Sequence, residues 1–307
     1  MPTAQVSDEA AATSRESIVT FMLGCSIEAT RPSPADASLL RDLLPPRTPV
    51  FIPALPGQEP RDAVEYARVV SRVGLSPTPH LAARSFPSIA ACDEFVRRLA
   101  GEAGVRSVML VGGDLARPVG ALENALQVLE SGVLTRRGVL NVGVAGYPEH
   151  HPRIEDDELE AALVTKLASA QSQGLEAFVV TQFSFHQDVA ANFVRGIRER
   201  GLRTQVRVGM AGPTSITSWL GYAKRCGVKA SASALAKRAG LVRHLFKTLT
   251  PDPIIYRLAR AADSGEIAEV EAHLFSFGGV AETARWLNAV QSGRFTLEEE
   301  DGFCVSE

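Results

Sequence analysis

The stretch from Val142 to Pro152 places a tyrosine, a glutamate and two histidines directly after a short apolar run. Phenol, carboxyl and imidazole groups are the ones that proteins use to move protons and to bind polar ligand atoms. An apolar strand that ends in a polar, proline-containing turn delivers such groups to the mouth of a parallel sheet, where α/β enzymes carry out their chemistry. The alternative is an ordinary loop between a strand and a helix, with the histidine pair in solvent.

Several other predicted strands also end in polar or ionisable residues. In chain order these residues are Glu28, His80, Asp114, Tyr147 with His151, and Gln182. Each has a structural explanation by itself. Glu28 could cap a helix, Asp114 could accept hydrogen bonds from turn amides, and Gln182 could be a buried polar side chain whose hydrogen bonds are made within the protein. The carboxyl ends of parallel strands meet at one rim, and this many polar groups on one rim are typical of a reaction site.

Strand-like and helix-like patterns alternate along nearly the whole chain. Apolar runs typical of strands occupy Ile18–Ile27, Val50–Ala54, Ser76–Ala82, Ser107–Val111, Val139–Ala145, Ala177–Thr181, Gln205–Met210 and Val270–Phe277. Helical spacing of apolar residues occurs between them, as at Asp62–Val73, Cys92–Ala100, Glu158–Ser172 and Val189–Arg200. These repeated units predict an α/β fold, a (β/α)8 TIM barrel. A doubly wound sheet is the alternative, but no GxGxxG fingerprint follows the first strand.

The connection between the seventh and eighth strands is unusually long. It runs from Ala211 to Glu269 and predicts extra helices, including one over Ser231–Thr248. These helices could form a cap over the barrel, a lid, or the subunit interface of a homo-oligomer.

A single TIM-barrel domain is expected over residues 17–295. Residues 1–16 are polar and rich in alanine and serine, which predicts a disordered N-terminal tail. Residues 296–307 form an acidic C-terminal tail, which is expected to fray at Leu297–Asp301.

The composition is that of a soluble globular enzyme, with 45% hydrophobic and 22% charged residues. A formal net charge of -3 gives no general attraction to nucleic acid or to anionic membranes. The four cysteines show no CxxC pairing, so neither a metal site nor a disulfide framework is predicted. Neither a signal peptide nor a membrane span is indicated, and a cytoplasmic location is expected.

The chain resembles the methylenetetrahydrofolate reductase family from about Thr20 to Phe277. The resemblance rests on Ser26-Ile27-Glu28, Pro79-His80-Leu81, Gly113-Asp114, Tyr147-Pro148-Glu149-His150-His151-Pro152, Lys166 and Thr181-Gln182-Phe183-Ser184-Phe185. The Tyr-Pro-Glu-x-His-Pro and Thr-Gln-Phe-x-Phe elements are specific to the family, whereas the single Glu and the Gly-Asp pair are weak signals. The family is a flavin-bearing barrel that passes hydride from NAD(P)H through FAD to methylenetetrahydrofolate.

The resemblance implies a role for each matching residue. Glu28 is expected to be the general acid that opens the bridging methylene, with Asp114 near the pterin and the flavin ring. Gln182, with Phe183 and Phe185, is expected to bind the folate substrate, although aromatic residues two apart on a strand are as often core. The flavin site is expected to comprise His80, Tyr147, His151 and Lys166. A buried carboxyl beside another acid has a raised pKa, which suits Glu28 to proton donation.

Several positions depart from the family pattern. The family has Thr at the end of the second strand, where this chain has Pro53-Ala54, and it has Arg at the position of Gly112. Phe277-Gly278-Gly279 replaces an Arg after the eighth strand, His186 replaces an Asp, and Gly209–Pro213 replaces a Pro-Gly-Ile turn. The Thr and the two Arg side chains help to hold FAD, and charge-assisted contacts to a diphosphate are hard to replace. FAD is therefore expected to be held weakly or not at all.

Two functions follow from this pattern. The first is a methylenetetrahydrofolate reductase-like oxidoreductase that uses NAD(P)H, either with FAD or by direct hydride transfer to the folate substrate. The second is a folate-binding barrel without redox activity, which serves a tetrahydrofolate-dependent methyl-transfer or demethylation system. Glu28 favours the first, because binding alone does not require an acid at that position.

Overall fold

The structure is a computed structural model and describes residues 15–55, 57–184, 187–218, 221–222, 248–277, 279–298 and 302–305. Eight parallel strands close into a barrel, which confirms the predicted fold. They are β1 (Ser26–Glu28), β2 (Pro49–Ile52), β3 (Ser76–Ala82), β4 (Ser107–Val111), β5 (Asn141–Gly146), β6 (Glu176–Thr181), β7 (Gln205–Ala211) and β8 (Val270–Phe275). Their order around the barrel is β1-β8-β7-β6-β5-β4-β3-β2.

Helices connect the strands. Their bounds are α1 (Pro34–Leu43), α2 (Pro60–Arg72), α3 (Ile89–Glu102), α4 (Ala125–Glu130), α5 (Val133–Arg136), α6 (Asp156–Ser172), α7 (Gln187–Glu199), α8 (Asp252–Asp263) and α9 (Val280–Gln291). Local sequence determines where several of these helices begin. Ser33 and Asp36 form a capping box at α1, Ser88 caps α3, and Asn124 caps α4, each satisfying amides that the first helical turn leaves free.

One compact unit comprises Ser26–Tyr147 and Arg153–Val180. Its interior contains a cluster built on Phe51, Met109 and Phe178, in which the rings of Phe51 and Phe178 meet edge to face at 6.1 Å. A Cβ on Gly143 would lie 2.6 Å from the Phe178 ring and 2.8 Å from the Met109 sulfur. A larger residue at this position of β5 would force the Phe178 and Met109 side chains to move.

The second compact unit comprises the chain through Cys25, the turn Pro148–Pro152 and the chain from Thr181 onward. It contains β7 and β8, which pair from Val206↔Val270 to Ala211↔Phe275. Two short antiparallel strands, Thr296–Glu298 and Gly302–Cys304, close the described chain. Phe303 is only 2% exposed and contacts Phe295 and Trp286, so this part of the acidic C-terminal tail packs onto the domain.

The structure differs from the predicted first strand, Ile18–Ile27. Residues 15–23 are helical, and β1 begins only at Ser26. Ile18, Met22 and Cys25 are buried and follow one another at intervals of three or four residues, which is helical spacing. The helical spacing was not recognisable in the sequence, because the run is apolar at most positions. A continuous apolar run is typical of a buried strand and of a buried helix alike.

The long connection between β7 and β8 is described in part. Thr214–Ser215 pairs with Thr248–Leu249, and α8 follows. Asp252–Asp263 (α8) is a helix of this connection, whereas most of the predicted helix Ser231–Thr248 lies outside the described residues and stays a prediction. Within the described chain, no helix has the length and apolar character needed to cross a membrane.

Candidate functional site

Glu28 is the last residue of β1, and its carboxyl group is buried. The residue is 9% exposed. Burial raises the pKa of the carboxyl to about 8, because a low-dielectric surrounding disfavours the charged form. Glu28 therefore carries its proton at neutral pH, as a general acid must before it reacts.

His80 lies within β3 beside Glu28. Its Nε2 is 3.8 Å from Oε1 of Glu28, and its ring makes a T-shaped pair with the Phe51 ring at 6.2 Å between centroids. Burial lowers the pKa of His80 to about 4. An ion pair would need a charged carboxylate and a charged imidazolium. Both pKa values instead favour the neutral forms, so at neutral pH this is a neutral acid beside a neutral imidazole.

Asp114 and Tyr147 belong to the same unit and interact electrostatically. Asp114 is exposed, three residues after β4, and Gly113 before it has a φ of +97° that glycine adopts readily. Burial raises the pKa of Tyr147, and the charge of Asp114 adds to the effect. The sequence argument gave Glu28 a second acid as the source of its raised pKa, but burial is the cause in the structure.

Arg84 holds the loop that carries Asp114. Its guanidinium donates to the carbonyls of Ala116 (2.9 Å) and Glu123 (3.4 Å). Its own backbone N–H donates to the carbonyl of Gly112, and its carbonyl accepts from the N–H of Val119, both at 2.9 Å. The partners of the guanidinium are more than thirty residues away in the sequence and become visible only in the folded chain.

Lys166 lies on the inward face of α6, with Leu163, Leu167 and Ala170 at helical spacing around it. Burial lowers the pKa of its ammonium group. It makes no ion pair or hydrogen bond within the part of the chain that the structure describes. A half-buried cation of this kind suits an anionic ligand group.

Gln182 directly follows β6, in the second unit. Its amide Nε2 donates to the carbonyl of His150 at 3.3 Å, which ties the end of β6 to the turn Pro148–Pro152. The hydroxyl of Thr181 accepts from the N–H of Gly209 and donates to the carbonyl of Gln182, both at 2.8 Å. These bonds fix the backbone of Gln182 and leave its side-chain carbonyl in a partly exposed position.

A second tie joins the two family-specific motifs. The buried hydroxyl of Ser184 donates to the buried carboxyl of Glu149, and the N–H of Ser184 donates to the carbonyl of Gly209 at 3.1 Å. His150 has a φ of +64°, so the turn bends sharply before the half-buried His151. Glu149 was not among the predicted site residues. Its position inside the Tyr-Pro-Glu motif is the sequence feature that could have predicted its importance.

Phe183 lies in the core. It is 1% exposed and meets the rings of Phe275 and Phe277 edge to face at 6.0 and 5.0 Å, and Phe277 in turn stacks on Tyr222 at 4.0 Å. A ring so enclosed offers no surface to a ligand, so the structure favours the core role over the predicted substrate contact. Phe185 lies outside the described residues. Phe275 and Phe277 were not among the predicted site residues, and their spacing of two residues could have predicted this aromatic cluster.

The predicted site residues thus fall into two groups. Glu28, His80, Asp114, Tyr147 and Lys166 belong to the unit with β1–β5, and Gln182, Phe183 and His151 belong to the unit with β7 and β8. Within the first group, Glu28 lies beside His80, and Asp114 interacts electrostatically with Tyr147. The second brings Gln182 to the turn that carries His151.

The residues fit FAD poorly. Gly112 and Gly279 stand where the resemblance implies arginines, and a Cβ at either position meets no atom within 4 Å, so no neighbouring side chain fills these spaces. Arg84, the cation near Gly112, is engaged with loop carbonyls. Lys166 remains for a phosphate, but the described positions 112 and 279 do not supply the two cationic contacts that the resemblance implies for the diphosphate.

Comparison with known proteins identifies the family. The model of the methylenetetrahydrofolate reductase family matches residues 57–241, more than half of the chain. An uncharacterized protein from Clostridium thermocellum, which binds two copies of 5-methyl-5,6,7,8-tetrahydrofolic acid, superposes with a TM-score of 0.59. The two sequences are 11% identical over 87% of this chain and 95% of that one.

A second solved structure is dihydropteroate synthase from Thermus thermophilus. It superposes with a TM-score of 0.49 at 14% identity, over 87% of this chain and 92% of that one. At such low identities a structural likeness shows the fold alone, and the likeness to the Clostridium protein supports the barrel.

Proposed function

This chain belongs to the methylenetetrahydrofolate reductase family, and from that premise we propose that it reduces methylenetetrahydrofolate to methyltetrahydrofolate with NAD(P)H. The observation that carries the proposal is Glu28. It is a buried carboxyl at the end of β1 with a pKa of about 8, so it holds its proton at neutral pH. A protein that only binds folate has no need of such a group.

The proposed reaction is balanced by one proton and one hydride. The methylene group of the substrate bridges two nitrogens. Glu28 gives its proton to one of them as the bond from that nitrogen to the methylene carbon breaks. The methylene carbon then forms an iminium with the other nitrogen. NAD(P)H supplies the hydride that converts the iminium carbon to a methyl group. The family resemblance implies that Gln182 hydrogen-bonds the folate substrate, and it assigns Asp114 to the pterin ring.

We further propose that this protein holds FAD weakly or not at all. A charged hydrogen bond contributes about 1.5–3 kcal/mol, so the loss of two raises the dissociation constant by about a hundredfold or more. The hydride then passes from the nicotinamide to the folate without a flavin, and the role of Glu28 is unchanged. Lys166 and Tyr147, both in the unit with β1–β5, are left to bind the dinucleotide.

A second candidate is a folate-binding barrel without redox activity that serves methyl transfer or demethylation. The binding of 5-methyl-5,6,7,8-tetrahydrofolic acid by the Clostridium thermocellum protein favours it, since that ligand carries the methyl group that such a system transfers.

A paired assay separates the two candidates. Purified protein is given methylenetetrahydrofolate with NADH or NADPH, with and without added FAD, and methyltetrahydrofolate is measured. Turnover with a nicotinamide cofactor supports the reductase, and equal rates with and without FAD support the flavin-independent form. Tight folate binding without turnover under all four conditions supports the second candidate.

The flavin prediction has its own test in Gly112→Arg. The position has no positive φ and has open space for a side chain, so the variant is expected to fold. We expect colourless wild-type protein and an FAD affinity that rises about tenfold or more in Gly112→Arg, since one charged contact is regained. Wild-type protein that purifies yellow with stoichiometric FAD contradicts the prediction.

A further inference from the structure

Among the residues that the structure describes, none is a hydrogen-bond partner of one ring nitrogen of His80. Its Nε2 is buried and makes no hydrogen bond to any residue that the structure describes. A buried polar atom left in this state costs free energy, so proteins rarely keep one without a use. Nε2 lies 3.8 Å from Oε1 of Glu28, just beyond the range of a hydrogen bond.

The side chains of the pair are largely shielded from solvent. The side chains of Glu28 and His80 are 12% and 18% exposed, and the Phe51 ring meets the imidazole edge to face. The resting pair is neutral, so the long separation costs little. The situation changes when Glu28 loses its proton, because a buried carboxylate is costly unless hydrogen-bond donors stabilise its charge.

We propose that His80 donates its Nε2–H to the Glu28 carboxylate that forms when the acid gives its proton to the substrate. The inference rests on the proposed function of Glu28 as the acid. The only proton that changes its covalent partner moves from the Glu28 oxygen to the bridging nitrogen of the folate. His80 keeps its proton, no electrons change place, and one hydrogen bond forms.

The geometry supports this role. A shift of about half an ångström or more brings Nε2 and Oε1 within hydrogen-bond range, and the new negative charge attracts the N–H. The charge-assisted bond stabilises the carboxylate at the moment when it develops, as a preorganised donor does in a transition state. His80 then acts through Glu28 as a positioning residue, in contrast to the flavin contact that the family resemblance implies.

Three substitutions at His80 separate hydrogen-bond donation from other roles. His80→Ala removes the donor, and His80→Gln places an amide N–H near the position of Nε2 but cannot titrate. His80→Asn is the matched control, since it carries the same amide on a chain one methylene shorter. We expect His80→Ala and His80→Asn to lower kcat by about one to two powers of ten with little change in KM for folate. His80→Gln is expected to recover most of kcat.

An infrared titration tests the same contact without turnover. The carbonyl band of protonated Glu28 is identified as the band that Glu28→Gln removes. The pKa read from this band should rise further in His80→Ala, because the carboxylate loses a donor, and should return toward the wild-type value in His80→Gln. An unchanged Glu28 pKa in both His80→Ala and His80→Asn overturns the proposal, as does equal loss of kcat in the Gln and Asn variants.

The two measurements also keep the two proposals apart. If the wild-type protein fails to reduce methylenetetrahydrofolate, the proposed function is lost, and the infrared titration still decides whether His80 supports the carboxylate. If reduction occurs but the titration and kcat do not respond to His80 as stated, the inference about His80 alone is wrong.

Discussion

Glu28 is the residue on which the proposed chemistry depends. Its protonated carboxyl is nearly isosteric with an amide, so Glu28→Gln is expected to fold and to bind folate almost normally. Turnover should fall by about two to four powers of ten, the usual contribution of general acid catalysis. Single-turnover kinetics, in which chemistry limits the rate, provide the measurement.

The control for Glu28 is Glu102→Gln. Glu102 is an exposed glutamate of α3 that pairs with Arg98 at 2.8 Å, and its substitution should leave turnover unchanged. Near-wild-type turnover of Glu28→Gln would remove Glu28 from the role of acid.

Gln182 is the second residue with a testable role. Gln182→Ala should weaken folate binding by about 1–3 kcal/mol, because polar groups of the buried ligand lose their partner. The measurement is calorimetric titration with methyltetrahydrofolate. Gln173→Ala is the matched control, since the Gln173 amide also donates to a backbone carbonyl, that of Leu129 at 2.8 Å. Equal affinity of wild type and Gln182→Ala places the pterin elsewhere.

At the scale of elements, the loop after β4 depends on one side chain from the loop after β3. Arg84 makes four hydrogen bonds to residues 112–123, two from its guanidinium and two from its backbone. Arg84→Ala removes the two side-chain bonds. We expect faster amide hydrogen exchange over this loop and a loss of about 1–3 kcal/mol in the free energy of unfolding.

Two variants sharpen the test of the loop. Arg84→Lys should restore only part of the protection, because one ammonium group cannot match the planar fork of a guanidinium. Arg117→Ala, at an exposed position of the same loop, should leave exchange unchanged. Exchange over residues 112–123 that does not differ between wild type and Arg84→Ala would show that the loop is held by other contacts.

At the scale of the whole molecule, the free energy of unfolding should depend on pH through Glu28 and His80. The folded chain holds the Glu28 proton up to a pH of about 8, above the ordinary carboxyl pKa of 4.5, so this group makes stability fall as pH rises between those values. His80 has a pKa of about 4 in the folded chain and 6.5 ordinarily, so it makes stability rise with pH up to 6.5.

These opposing effects leave a net decline from about pH 6.5 to about pH 8, with a slope of at most about 1.4 kcal/mol per pH unit. Asp252, whose pKa burial raises to about 6, acts below this window. Urea unfolding at both ends of the window measures the slope. The slope should flatten in Glu28→Gln, and an equal slope in wild type and variant would show that Glu28 is not the buried acid.

The sequence by itself determined most of the elements. The bounds predicted for β3 and β4, Ser76–Ala82 and Ser107–Val111, are those of the structure, because apolar runs between turn residues allow few other readings. The failure at Ile18–Ile27 has the same origin, since a continuous apolar run fits a helix or a strand equally well. Packing decides between them, and packing involves residues distant in the chain.

The sequence also placed Glu28, Tyr147 and Gln182 at or directly after the ends of strands, where the structure has them. Only the tertiary structure brought His80 to Glu28, because their distance depends on the register of β1 with β2 and of β2 with β3. It alone showed that burial gives Glu28 its raised pKa and that Phe183 lies in the core. Local patterns specify which face of a strand a side chain occupies, whereas its neighbours and its access to water come from the packing of the other strands.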